Sequence, residues 1–315
     1  MKKPTVVSRY AGVFVLATVI AVLPLLLPNS FYFDVAINGG IAAIVCVGLN
    51  LLIGYAGQIS LGHAGFFALG AYSSAILTDN YGWPPIASLS TGLFVVGLLA
   101  FVIARPILRL KGHYLAMATL GMGIIISIVL NQEVNLTGGP DGMPVSAFSV
   151  FGWEVNSELA WYWIVGGSLI VIVLLALNLI DSAVGRALRA VHGSEVAAQV
   201  AGIDSTRYKI LIFVVSAVMA AYAGSLFAHY TGFLTPSEGG FFRSIEFVTM
   251  VVLGGMASVF GSVIGAAILT ALPQFLTVFH DYEHVMFGLV MMLTMIFMPK
   301  GLLPSLRNWI SKNSL

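Results

Sequence analysis

The acidic and basic residues of this chain are almost absent from its apolar stretches. Cutting at polar, charged or Gly/Pro-rich punctuation leaves ten such stretches, at 10–28, 35–54, 62–78, 86–104, 114–130, 160–180, 210–230, 244–256, 260–279 and 284–299, and only the eighth contains a charge, Glu246. Most reach the roughly 17–25 residues that a helix needs to cross about 30 Å of hydrocarbon, and the eighth falls short. Of 315 residues, 59% are hydrophobic and 9% charged, against about a quarter charged in a soluble domain. Too little polar side chain remains to cover a water-facing surface, so the chain must take lipid as its solvent. The stretches run continuously and do not alternate over about ten residues as β-barrel strands do. The expected fold class is therefore all-α: a polytopic transmembrane helical bundle of about ten segments, some short or broken, forming one domain over 1–315.

The basic residues give this bundle a direction. With a cytoplasmic N-terminus, 13 of the 14 Lys and Arg fall in inner segments and only Arg243 lies outside, the asymmetry that sets orientation. Nine acidic residues lie outside against three inside, which agrees but carries little weight. Both termini are therefore predicted on the cytoplasmic side. Lys2 and Lys3 precede an apolar stretch as in a signal peptide, but no convincing small-residue cleavage site follows, which predicts an uncleaved first helix. A net charge of +1 argues for no nucleic acid and no acidic ligand, and the one cysteine, Cys46, is expected to pack as a small hydrophobe.

Two inner connections carry no charge at all, 55–61 (YAGQISL) and 254–259 (GGMASV). Glycine frees the backbone, and Ser or Gln can satisfy groups released where a helix breaks, an arrangement tolerated at membrane depth only where protein or water surrounds it. Broken helices of this kind line substrate sites. Gly57-x-x-Ser60 and Gly255-x-x-Ser258 share a spacing, a hint of duplication, while Gly261 with Gly265 and Ala220 with Gly224 have the spacing of close helix packing. A carboxylate within the membrane costs about 2.5–3.5 kcal/mol on insertion scales. For Glu246 two readings stand side by side, a place in a solute pathway and a pairing with Arg243 three residues earlier.

Two loops exceed plain connections. The outer one, 131–159, contains the turn-rich TGGPDGM and no Lys or Arg, and it suits docking an external partner or capping a pathway. In the inner one, 181–209, Gly185 opens a basic helical stretch. Ser194 followed by Glu195, Val196, Ala197, Ala198, Gln199, Val200 and Ala201 then reads as a short capped helix that Gly202 ends. Such a helix fits a groove on another protein; the alternative is a surface linker with Arg186 and Arg189 beside anionic lipid.

Several chemistries are missing. There is no GxxxxGK[ST] phosphate loop, so energy must come from elsewhere. His280 and His284 stand four apart without an H-E-x-x-H motif, and no metal is expected. No nucleophile, base and orienting group share a stretch, so neither catalytic residues nor a cofactor are expected. His63 reads as a hydrogen-bonded packing residue more readily than as a proton carrier, and the scarcity of intramembrane charge disfavours proton coupling.

Five pieces stand in order along the chain: GLNLLIGYAGQISLGHAGFFALGAY (48–72), KGHYLAMATLGMG (111–123), LTGGPDGM (136–143), GRALRAVHGSEVAAQVAGIDSTRYKILIF (185–213) and SIEFVTMVVLGGMASVFGSVIGAA (244–267). Together they resemble the LivM-type permease subunits of branched-chain amino acid ABC importers, from about the second span to the end. The resemblance implies a multi-pass protein of a bacterial-type inner membrane that translocates branched-chain or similar small amino acids. Its implied partners are a related second permease subunit, two cytoplasmic ABC ATPases and an external substrate-binding protein; ATP is used by the partners. The resemblance also implies that 195–202 is the helix coupled to an ATPase, through Glu195, Val196, Ala197, Ala198, Gln199 and Gly202, with Arg186 and Arg189 leading into it. Gln58, Ser60, His63, Glu246, Gly254 and Gly255 become candidates for the translocation pathway. Gly193 departs from the charged or polar residue expected just before the coupling helix. Related permeases serve urea, short amides and other small solutes, which stay as alternatives, as does an ion-coupled carrier or channel.

Overall fold

The structure, a computed structural model, describes residues 6–26, 29–150 and 153–276, with isolated positions at 285, 288, 289, 292, 296 and 301. Its helices are α1 Val6–Leu26, α2 Ser30–Asn50, α3 His63–Asp79, α4 Pro85–Ile107, α5 His113–Gln132, α6 Val134–Thr137, α7 Glu158–Asp181, α8 Ala183–Gly193, α9 Glu195–Val200, α10 Ser205–Thr231, α11 Phe241–Gly254 and α12 Val259–Leu276. The first nine predicted stretches each become one of these; most of the tenth, with His280 and His284, lies outside the described residues. Among the described residues, five runs are long and apolar enough to cross a membrane: Ser30–Tyr55, Pro85–Ile107, His113–Gln132, Glu158–Asp181 and Ser205–Thr231. The chain is thus an all-α polytopic membrane protein. The four two-residue strands among the described residues only fasten loops: β1 Met143–Pro144 pairs antiparallel with β4 Phe233–Leu234, and β2 Ser149–Val150 with β3 Trp153–Glu154.

Hydropathy alone does not tell which helix is central, but packing does. The most apolar window of the α2 run is 83% buried within the protein, that of α4 only 22%, so α2 is the interior helix and α4 faces outward. In lipid, helices gain by close backbone approach at small residues. A Cβ on Gly224 of α10 would fall on the Phe67 carbonyl, and one on Gly70 of α3 on the Ala221 carbonyl. Gly254 and Gly261 set α11 against α12 in the same way. Cys46 is fully buried, its sulfur 3.7 Å from the Phe247 carbonyl oxygen and from the Met250 sulfur.

The connections that the charge pattern assigns to the outside meet at one end of α10. There Ser146 Oγ donates to Asp79 Oδ1 (2.5 Å), His229 Nδ1 to the Ser146 carbonyl (2.9 Å), and Tyr230 OH to Asp34 Oδ1 (2.7 Å). At the other end Lys209 meets Glu195, together with Lys111 from the α4–α5 connection.

Candidate functional site

The α2 run does not stop at Asn50 but loosens into a π-helical turn, Leu51–Tyr55, a form that often marks functional positions. The chain leaves the helix there and re-enters one at His63. Gly57 takes φ +68°, the left-handed region that glycine enters without steric cost. The first orphan donors beyond this break find partners on other helices: Leu61 N–H on Thr119 Oγ1 of α5 (3.1 Å) and Ala64 N–H on Ser244 Oγ of α11 (3.2 Å). His63 has hydroxyls on both ring nitrogens, Ser60 Oγ at 2.9 Å from Nδ1 and Ser216 Oγ of α10 at 2.6 Å from Nε2, with Phe66 and Phe213 edge-on to the ring. That is the geometry of a hydrogen-bonded packing residue. Gln58 is different: it is 3% exposed, and neither its amide nitrogen nor its amide oxygen has a partner.

The second break lies against the π-turn. α11 ends at Gly254, Gly255 takes φ +116° and Ala257 φ +60°, and α12 starts at Val259. Asn50, fully buried, donates through Nδ2 to the Ser258 carbonyl (2.7 Å) and to Ser262 Oγ (2.5 Å), and its Oδ1 accepts from Ala257 N–H (2.9 Å). Tyr55 OH donates to the Ala257 carbonyl (2.7 Å). Sequence reading missed Asn50; its signal is a carboxamide deep in an apolar run, since a polar group buried among apolar ones needs partners.

Beside the first break sits the connection carrying α8 and α9. Ser182 caps α8, accepting from Val184 and Gly185 N–H, and Ser194 caps α9, accepting from Ala197 N–H (3.3 Å). Gly202, at φ +81°, follows the end of α9. Val196 and Val200 are 69% and 85% exposed, whereas Ala198 is 3% exposed and faces the chain's own body. Ala197, Gln199 and Gly202 are also exposed. Glu195 holds two ammonium groups, Lys209 Nζ at 3.0 Å and Lys111 Nζ at 3.4 Å. Partial burial raises its carboxyl pKa, but the two lysines outweigh that and hold it below the ordinary value. Arg186 and Arg189 point back to α7, their Nη1 atoms donating to the Asp181 (3.0 Å) and Ile180 (2.9 Å) carbonyls, the way cations close a helix C-terminus. Gly193 ends α8 in open space, and His192 just before it lies against Gly57, where a Cβ would come within 2.9 Å of its Nδ1.

A family profile described as branched-chain amino acid transport system / permease component matches residues 31–298. The chain belongs to this family. It is similar to the high-affinity branched-chain amino acid transport system permease protein LivM of Salmonella typhimurium, 34% identical over 87% of this chain and 70% of the relative, and to that of Escherichia coli K12 with the same identity and shares. The LivH permease protein of E. coli K12 is 26% identical over 84% of this chain and 92% of its own. No solved structure matches. This is a multi-pass inner-membrane permease subunit of a branched-chain amino acid ABC importer, working with partner ATPases, and not an enzyme.

In this permease Gly254 and Gly255 closely precede the residues that Asn50 and Tyr55 bond, while Gln58, Ser60 and His63 follow the π-turn along the chain toward α3, whose Ala64 N–H meets Ser244 of α11. Glu246 lies eight residues or about 12 Å up α11 from Gly254 and two residues after that Ser244. Arg243 Nη1 reaches it at 3.0 Å, while Arg243 Nε lies 3.5 Å from Glu238 Oε2 and the guanidinium 5.2 Å from the Phe247 ring centroid. Glu238 has a raised pKa because burial disfavours its charge; Arg243 counters this and Glu246 adds to it. Among the described residues no group of three His, Cys, Asp or Glu could hold a metal.

Proposed function

We propose that this permease works by alternating access, with the first helix break as the moving part of the pathway, the second break held against α2, and α9 as the element seated in a partner ATPase. The observation that supports this most is the build of α9. Val196 and Val200 face outward while Ala198 and the Glu195 ion pairs hold the opposite face to the bundle. An exposed apolar edge on a rigidly backed short helix is what a groove on another protein can grip. Closure of the ATPase pair on ATP would shift α9, and α8 would carry that shift through His192 to Gly57 at the first break. Hydrolysis resets the cycle.

In this reading the cytoplasm lies at the α8–α9 end, both termini are cytoplasmic, and about ten segments cross or enter the membrane. An external binding protein delivers the amino acid over the 131–159 loop, and a second, LivH-like subunit completes the path, consistent with similarity to both LivM and LivH. Gln58, Ser60, His63, Glu246, Gly254 and Gly255 line that path. A route nearly free of fixed charge suits apolar amino acids, because it offers no site strong enough to trap them.

Val200→Arg tests the docking role, since its side chain is exposed and the fold does not depend on it. In proteoliposomes holding the full importer, amino acid uptake should fall about tenfold or more. Stimulation of ATP hydrolysis by loaded binding protein should be lost, with the unfolding temperature of the permease unchanged. Uptake at the unaltered rate overturns the assignment of α9. Uptake by the purified chain alone without ATP favours a channel or carrier instead.

A further inference from the structure

We infer that the Gln58 carboxamide is the permease's own contact with its solute and that it reads the main chain of the amino acid, not the side chain. The inference rests on the permease reading above and names one residue within it. Gln58 is 97% buried, counting from its 3% exposure, yet its Nε2 and Oε1 both lack a partner. Asn50, the other buried carboxamide of the same stretch, shows that the surroundings can satisfy such a group completely, with two donated bonds and one accepted. Buried polar groups are normally paired, and each one that is not carries a desolvation cost that needs a reason. At Gln58 the reason is a ligand present in another step of the cycle.

The chemistry fits a zwitterion. A carboxamide offers a donor to a carboxylate and an acceptor to an ammonium, and every amino acid brings both groups whatever its side chain. His63 is already engaged by Ser60 and Ser216, so it leaves Gln58 as the unengaged polar side chain of the first break among the described residues. A neutral group also holds the solute weakly enough to release it, which a fixed charge there would not. Gln58 follows directly on Gly57, the residue against which His192 of the α8–α9 connection packs. Occupancy at Gln58 is thereby adjacent to the element that answers to ATP.

Gln58→Met keeps length and removes both polar groups. With the full importer in proteoliposomes, the maximal uptake rates of leucine, isoleucine and valine should each fall about tenfold and by the same factor. The unfolding temperature of the purified permease should stay level or rise, because two unpaired buried groups have gone. Gln58→Asn, which keeps the amide, should restore part of the rate. Unchanged uptake, losses that differ strongly among the three amino acids, or a marked fall in unfolding temperature would each overturn the inference. A wild-type importer that moves none of the three amino acids overturns the permease reading itself, and this inference with it.

Discussion

At 255–258 the backbone groups freed by the broken helix meet side chains from a single neighbouring run: Asn50 serves Ala257 N–H and the Ser258 carbonyl, and Tyr55 serves the Ala257 carbonyl. Around the first break the contacts are shared out among three helices: Thr119 of α5 accepts from Leu61 N–H, Ser244 of α11 from Ala64 N–H, Ser216 of α10 meets the His63 ring, and the Gln58 amide is met by none. A break clamped to one helix keeps its position relative to that helix. A break shared among three changes its bonding when any of them shifts. The second is thus built to be held and the first to respond, and it is the first that touches the α8–α9 connection through His192.

The largest effect should come from prying the held break open. A Cβ on Gly254 would fall on the Gly261 carbonyl, which is backbone and cannot swing aside. Gly254→Val should therefore separate α11 from α12 at a cost of about 3 kcal/mol, read by unfolding of the purified permease. Asn50→Ala comes next. It leaves Ala257 N–H without its partner while the Ser258 carbonyl keeps Ser262 N–H (3.0 Å) and Oγ (3.1 Å), and a loss of about 2 kcal/mol is expected, below the sum of the separate bonds. If Asn50→Ala is neutral, the second break is not clamped and the contrast between the two collapses.

Those two residues also show how far the sequence could be read. Gly254 was visible, since a glycine pair in an uncharged connection between apolar stretches announces a break, just as Gly57 does. Hydropathy is a property of each segment, so nine helices could be placed one by one. Asn50 acts across more than 200 residues of chain, and no local pattern carries that information. The same limit hid the clasp of Glu195 by Lys111 and Lys209, while the Arg243–Glu246 pair, three residues apart on one helix, was legible. Arg186 and Arg189, placed by the sequence ahead of the helix over 195–202, donate to carbonyls at the end of α7, a contact between neighbouring elements that no periodicity shows. Ala198 faces the chain's own body while Val196 and Val200 face outward, a division that a helix of six residues is too short for periodicity to fix.

The smallest effects have opposite signs, which makes them the sharper comparison. Each break has a residue near φ +60°, Gly57 at +68° in the first and Ala257 at +60° in the second, where Gly255 also takes φ +116°. A residue with a Cβ loses about 1 kcal/mol or more there relative to glycine. Ala257→Gly should accordingly stabilise the permease by about 1 kcal/mol and leave uptake unchanged, since Asn50 and Tyr55 bond only the backbone of that residue. Gly57→Ala should cost about 1 kcal/mol from the backbone alone. It should also lower uptake, because the new methyl group would push on His192 and so on the connection to α9. If both substitutions change stability but neither changes uptake, the first break carries no motion from α9, and the two breaks differ in bonding without differing in role.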